Sequence, residues 1–282
     1  MIKTNIDYNR PVMLADNVYW VGRYDKAIGF ASNPYLIVED GEAVLIDGGS
    51  RPDFSTVMRK ILQAGAAPGA ISHLIYHHYD PDLCGSLPNL EDMIDNPALK
   101  VVSKQENNSF IRHYGGRLEP HCIDEMGREL ILKSGRRLRF IPTPYAHSSG
   151  SFMTWDEKSG VLFSSDLFGG LGNGSDWMLF LSLDAVCHDC QQSIPKGAQD
   201  LCATVNTPCP LSGLANFHRK VMPSNAALRF SLEKVQELDP EMIASQHGSV
   251  LCGKAVIGIV IRKLMALDDV GIDGVLKEIA GA

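Results

Sequence analysis

The stretch Ser72-His73-Leu74-Ile75-Tyr76-His77-His78-Tyr79-Asp80-Pro81-Asp82 turns from apolar to densely polar within a few residues. Residues 72–76 predict a buried strand, and the remainder a loop delivered by that strand. Alternate residues of an extended segment share a face, so His78, Asp80 and Asp82 are expected to converge, with His77 pointing the other way. Imidazole beside carboxylate suits borderline to hard divalent metals. From this loop alone, a polar turn punctuated by Pro81 reads equally well. Gly85-Ser86-Leu87-Pro88, next along, also reads as a plain helix start.

Outward from this loop, the chain alternates short strands with helices. Strands are expected at 18–21, 35–38, 43–46, 100–102, 137–141, 151–155, 161–164 and 242–244, where apolar runs are bounded by Gly, Pro and Asp turn signals. Phe54, Val57, Met58, Ile61 and Leu62 fall at helical spacing before Gly65, and further helices are expected at about 87–94 and 226–238. Four of these strands stop at a His or an Asp: His78, His147, Asp166 and His247. Ligand residues gather on loops at one edge of a rigid sheet in packed α/β folds. Packing alone does not call for a metal-type residue at four separate strand ends.

These motifs together resemble the flavodiiron proteins of the metallo-β-lactamase superfamily. The resemblance rests on His78-x-Asp80-x-Asp82 with Gly85-Ser86-Leu87-Pro88, and on Thr143-Pro144-x-x-His147. It continues through Leu162-Phe163-Ser164-Ser165-Asp166-x-Phe168-Gly169, Val221-Met222-Pro223 and Ile243-Ala244-Ser245-Gln246-His247-Gly248. It covers about residues 17–250 and implies an α/β fold, the metallo-β-lactamase αββα sandwich, as a single domain over 1–282. By resemblance, His78, Asp80 and His147 hold a first iron, Asp82 and His247 a second, and Asp166 bridges them. Asp80 stands where the family most often has Glu, a mild departure. Leu83 stands where the family has His, which leaves the second iron one potential ligand short. With so few residues after His247, no flavodoxin-like domain is expected, since one needs about a hundred residues or more. The resemblance is therefore to the short branch, the oxygen-binding diiron proteins. Flavin is not expected in this chain, and electrons are expected from an external flavoprotein or rubredoxin.

Among the remaining residues, Asp47 is expected to support the ligand loops by hydrogen bonding. Tyr79 and Tyr145 sit beside ligands and are candidates either to donate a hydrogen bond to a bound oxygen ligand or simply to pack. His73, His113, His121, His188 and His218 read as surface or structural. A Cys-rich insertion at about 170–215 carries Cys187-His188-Asp189-Cys190, Cys202 and Cys209. Four thiolates are the ligand count of a structural zinc or an iron–sulfur cluster, and free thiols are the alternative.

The resemblance implies a non-haem diiron protein that binds or reduces dioxygen, with nitric oxide as an alternative ligand. It would act as an oxygen sensor with a signalling partner or as an oxidoreductase with an external donor. Three carboxylates stabilise ferric iron without thiolates. The alternative is a two-metal hydrolase, such as a phosphodiesterase acting on a cyclic dinucleotide. Composition bounds the rest. The 282 residues carry a formal charge of −7, with 45% hydrophobic and 21% charged residues. No basic run marks a nucleic-acid backbone partner, and no apolar run is long enough for a membrane span. Seven cysteines, an odd count, without an export signal favour reduced thiols or metal ligands over disulfides. A cytoplasmic homodimer is expected.

Overall fold

The computed structural model describes residues 6–171, 177–194, 196, 202 and 206–281. The chain begins with β1 (Val12–Ala15) and β2 (Val18–Trp20), then a small separate hairpin of β3 (Arg23–Asp25) and β4 (Phe30–Ser32). β5 (Tyr35–Glu39), β6 (Glu42–Ile46), α1 (Phe54–Gln63) and β7 (Ile71–Ile75) follow, then α2 (Pro81–Cys84), α3 (Leu87–Ile94), β8 (Lys100–Ser103), α4 (Gln105–Ile111) and β9 (His121–Cys122). The first sheet has seven strands in the order β1-β2-β5-β6-β7-β8-β9. Its β6 to β9 half is parallel.

The second half supplies β10 (Glu129–Ile131), β11 (Arg137–Pro142), β12 (Phe152–Asp156) and β13 (Val161–Phe163), then α5 (Ala185–His188), α6 (Ser212–Val221), α7 (Asn225–Leu238), β14 (Met242–Ala244), β15 (Leu251–Cys252), α8 (Lys254–Met265) and α9 (Ile272–Gly281). Its six strands run in sequence order, antiparallel except for the β13–β14 pair. Ser224 caps α7, its hydroxyl accepting from the Ala227 amide at 3.2 Å.

The layers follow from side-chain alternation. In β5 and β6, Tyr35, Ile37, Val44 and Ile46 face the second sheet and meet Phe140, Phe152, Val161 and Phe163. Leu36, Ala43 and Leu45 face the other way, toward Val57, Ile61, Leu87 and Leu90 of α1 and α3. In the second sheet, Met153, Leu162 and Ile243 face Leu228, Leu232, Val260 and Leu264 of α7 and α8. The result is the αββα sandwich. Strands buried on both faces read as continuous apolar runs, and each such aliphatic side chain contributes about 1.5–3 kcal/mol on burial.

One ion cluster ties the two sheets. The fully buried Arg136 guanidinium donates to Glu39 at 2.6 Å and to Asp156 through Nε at 3.1 Å. Glu39 ends a strand of the first sheet and Asp156 a strand of the second.

Candidate metal centre

Each of the four loops expected to carry ligands leaves the end of a strand, and the sandwich brings all four together. β7 leads into His78, the β11–β12 connection carries His147, β13 leads to Asp166, and β14 to His247. His147 Nε2 lies 3.3 Å from His78 Nε2, 3.3 Å from Asp80 Oδ2 and 3.1 Å from Asp166 Oδ2. His78 Nε2 is 3.6 Å from Asp80 Oδ2. On the other side, His247 Nε2 is 3.0 Å from Asp82 Oδ2 and 3.4 Å from Asp166 Oδ1. Asp166 therefore stands between two sub-sites, one oxygen toward each. Donor atoms of His78, His147 and Asp166 all fall within 4.8 Å of one another.

The loop from His78 to Asp82 departs from the extended form expected of it. Asp80 keeps extended backbone, with φ −69° and ψ 153°, but Pro81 then opens α2. Proline's fixed φ and missing N–H suit the first helical position. The helical turn swings Asp82 away from Asp80, so the three residues serve two sub-sites instead of one face. Leu83, on the same turn, is fully buried in the layer under α1 and α3, where it packs.

The outer nitrogens of the imidazoles are held by the protein. His247 Nδ1 is 2.7 Å from the Ala31 carbonyl, which can only accept, so Nδ1 carries a proton and Nε2 is the nitrogen turned to the centre. His78 Nδ1 meets the Ser165 hydroxyl at 2.9 Å. Phe30 stacks near His247, with ring centroids 4.3 Å apart. Asn33 anchors the same loop, donating to the Ser245 and Gly248 carbonyls at 3.0 and 3.1 Å. His77 points away from the centre, to Asp47 Oδ2 at 2.8 Å and Thr154 Oγ1 at 2.9 Å, and its amide donates to Asp47 Oδ1. Asp47 thus supports the His78 loop from behind.

The electrostatics are those of a cation site. Burial alone would lower the imidazole pKa values, yet Asp166 and Asp80 outweigh it and raise His147 to about 10. Burial is likewise overcome at His247, raised to about 9 by Asp166 and Asp82. Asp80 and Asp166 move oppositely, far below the usual carboxylate range, because the surrounding imidazoles outweigh their desolvation. Asp166 Oδ1 is buried without a hydrogen-bond partner among the described residues. Such an atom costs about 1–3 kcal/mol unless something satisfies it.

The tyrosines take different places. Tyr79 stacks on Phe110 with ring centroids 4.4 Å apart. Tyr145 is 56% exposed and lines a surface groove with Pro223, Ala227, Phe230 and Ile272. His218, read as surface or structural, is a buried structural residue: its Nε2 accepts from the Phe168 amide at 3.0 Å and its Nδ1 donates to the Leu214 carbonyl at 2.8 Å. Asn33, Ser165, Ala31 and Phe30 were not singled out from the sequence. Their partners lie far along the chain, so no local pattern marks them.

Comparison with known proteins points the same way. Over 170 residues the chain is 29% identical to an anaerobic nitric oxide reductase flavorubredoxin of Enterobacter sp. (strain 638), matching 56% of this chain and 35% of that protein. The chain thus spans about a third of the length of such curated relatives. A structure described as a peroxy diiron species of the chemotaxis sensor ODP superposes with TM-score 0.71 at 24% identity, covering 95% of this chain and 99% of that one. The flavodiiron protein from Giardia intestinalis gives TM-score 0.71 at 22% identity, over 92% of this chain and 59% of that one. Residues 30–248 match the model described as ODP family beta lactamase, a span holding every donor loop of the centre, and the chain belongs to that family.

Proposed function

We propose that this chain is a non-haem diiron protein that binds or reduces dioxygen, with nitric oxide as an alternative ligand. The observation that carries the reading is Asp166, held between two imidazole-bearing sub-sites with Oδ1 buried and making no hydrogen bond among the described residues. His78, Asp80 and His147 would hold one iron, Asp82 and His247 the other, and Asp166 would bridge them. Three carboxylates and three imidazoles form an all-nitrogen-and-oxygen set suited to iron. When bound, two irons supply electrons and open coordination positions for a small diatomic ligand. The chain's own residues do the holding: Ala31 and Ser165 fix the two inner imidazoles, and Asp47 fixes the loop behind them.

The relatives' names support the same class, since they describe a peroxy diiron species of a chemotaxis sensor and an anaerobic nitric oxide reductase. The carboxylate-rich set favours this reading over the two-metal hydrolase. As a sensor the chain would signal to a partner protein. As an oxidoreductase it would draw electrons from an external flavoprotein or rubredoxin. Tyr79 and Tyr145 would either donate a hydrogen bond to a bound oxygen ligand or simply pack. We read the chain as one domain, in a cytoplasmic homodimer. No helix among the described residues is long and apolar enough to cross a membrane.

The test is anaerobic purification, metal analysis and admission of air while absorption is followed. Two irons per chain and a persistent new band in the near ultraviolet or visible indicate a bound oxygen ligand. Consumption of oxygen only on adding a reduced flavoprotein or rubredoxin indicates an oxidoreductase. A colourless zinc protein that cleaves phosphodiesters overturns the reading.

A further inference from the structure

Four cysteines play no part in the centre described above. Cys187 lies on α5, and Cys190 follows that helix. Cys202 sits in a turn, its amide donating to the Thr207 carbonyl at 2.7 Å and its carbonyl accepting from Asn206 at 2.8 Å. Cys209 precedes α6, its carbonyl accepting from the Ser212 amide at 3.0 Å. These segments are separate in the chain, yet all four residues line one cavity of about 130 Å³. No disulfide joins any of the described cysteines.

A buried cation shares the cavity. α5 packs on α8, and Lys263 of α8 extends its ammonium to 3.6 Å from Cys190 Sγ while also donating to the Gln192 carbonyl. Lys263 is only 9% exposed. Its neighbour Asp269 is engaged by Lys196 and Arg219, and no carboxylate among the described residues pairs with Lys263. A buried ammonium without an anion is costly. Thiolates carrying a metal cofactor would supply the missing negative charge.

We propose that Cys187, Cys190, Cys202 and Cys209 ligate an iron–sulfur cluster in this cavity. Such clusters are held by four cysteine thiolates. The spacing favours a cluster over a single tetrahedral ion. A zinc with Zn–S bonds near 2.3 Å draws its sulfurs to about 3.8 Å from one another. Among the described residues, no three of these sulfurs lie within 4.8 Å of each other. A cluster spreads its four thiolates over two or four irons around an inorganic core, so the set spans more than one ion allows, which a cavity accommodates. Ser182, Pro208, Cys209 and Pro210 also line a second cavity that reaches Phe168 and Gly248. The cluster site therefore neighbours the loops of Asp166 and His247 without sharing their ligands.

Acid-labile sulfide tests this independently of the other centre, because two irons held by nitrogen and oxygen contribute none. The chain is purified without oxygen and reconstituted with ferric iron, a thiol reductant and sulfide under argon, the ferric iron supplying the oxidising equivalents. About two or about four sulfides per chain, with a visible charge-transfer absorption, is the expected result. Cys187→Ser with Cys190→Ser should remove at least half of the sulfide while leaving the sulfide-independent iron in place. Lys263→Met, which keeps the aliphatic stem, should hasten loss of sulfide in air. Reconstituted wild type without sulfide overturns the proposal, whether it carries one zinc or four titratable thiols. Loss of the diiron absorption with sulfide retained would instead count against the function proposed above.

Discussion

Removing the Asn33 side chain should unfasten the His247 loop. Asn33 is fully buried. Its carboxamide oxygen accepts from Trp20 Nε1 at 2.8 Å, and its nitrogen donates to the Ser245 and Gly248 carbonyls at 3.0 and 3.1 Å. Asn33→Ala leaves the Trp20 indole N–H buried without a partner and takes one of two donors from each carbonyl, since Trp177 Nε1 still donates to Gly248 at 3.1 Å and Tyr35 still donates to Ser245. At about 1–3 kcal/mol for the stranded indole and about 0.5–1.5 kcal/mol for each of the two lost hydrogen bonds, the loss comes to about 2 kcal/mol at the least. Tyr35, whose hydroxyl also donates to the Ser245 carbonyl at 2.6 Å, keeps part of the loop in place, so the fold should survive. Asn33→Asp makes a sharper comparison. It keeps the acceptor for Trp20 but turns a carboxylate oxygen toward two carbonyls, and should destabilise at least as much. Urea unfolding of the metal-free proteins reads the stability. A chelator challenge of the loaded proteins reads the site, and the ion held by Asp82 and His247 should leave first. Wild-type unfolding midpoints, or loss of both ions at equal rates, would refute the assignment of Asn33 as the anchor of this loop.

Asp166→Ala should be the most damaging single change to metal content, because its two oxygens face the two sub-sites; iron content unchanged by metal analysis would remove Asp166 from the bridging position. Leu83→His should cost stability without adding a ligand, since Leu83 packs in an apolar layer; a gain in iron retention or a change in azide affinity would place that side chain at the centre instead. Arg136→Met leaves the Asp156 carboxylate without its cation and Glu39 with Lys158 alone, and should cost about 3 kcal/mol, seen as a lower urea midpoint. The acid limb follows from the same cluster. Burial acts to raise Glu39, but Lys158 and Arg136 overcome it and hold the group below 4.5. Its contribution is therefore complete above pH 4.5 and lost as pH falls through the lower folded value, so Glu39→Gln should flatten the decline of Tm below about pH 4.5.

The donor loops were legible because each chemical signal was local. His78-x-Asp80-x-Asp82 lies within one short stretch, and His147, Asp166 and His247 each follow an apolar strand whose end the sequence marks. The sandwich was legible for a related reason: β5 and β6 are buried on both faces, so they read as unbroken apolar runs between turn signals. What escaped depended on where the chain meets itself. Asp82 turns from Asp80 because Pro81 starts a helix, and a pattern of alternate residues conceals that turn. Asn33 anchors Ser245 across 212 positions, and a lone polar residue before Pro34 carries no mark of that role. Tyr145 stands two places from His147, yet the backbone takes positive φ, 65°, at that residue, and its ring lines a surface groove. Adjacency in sequence was there a poor guide to direction in space. The thiols show the converse. Cys-x-x-Cys with two later cysteines allows zinc, a cluster or nothing, because the count of ligands is all that a sequence states. The cavity lined by the four cysteines and the buried ammonium at its wall belong to the fold, and those two features are what the cluster proposal rests on.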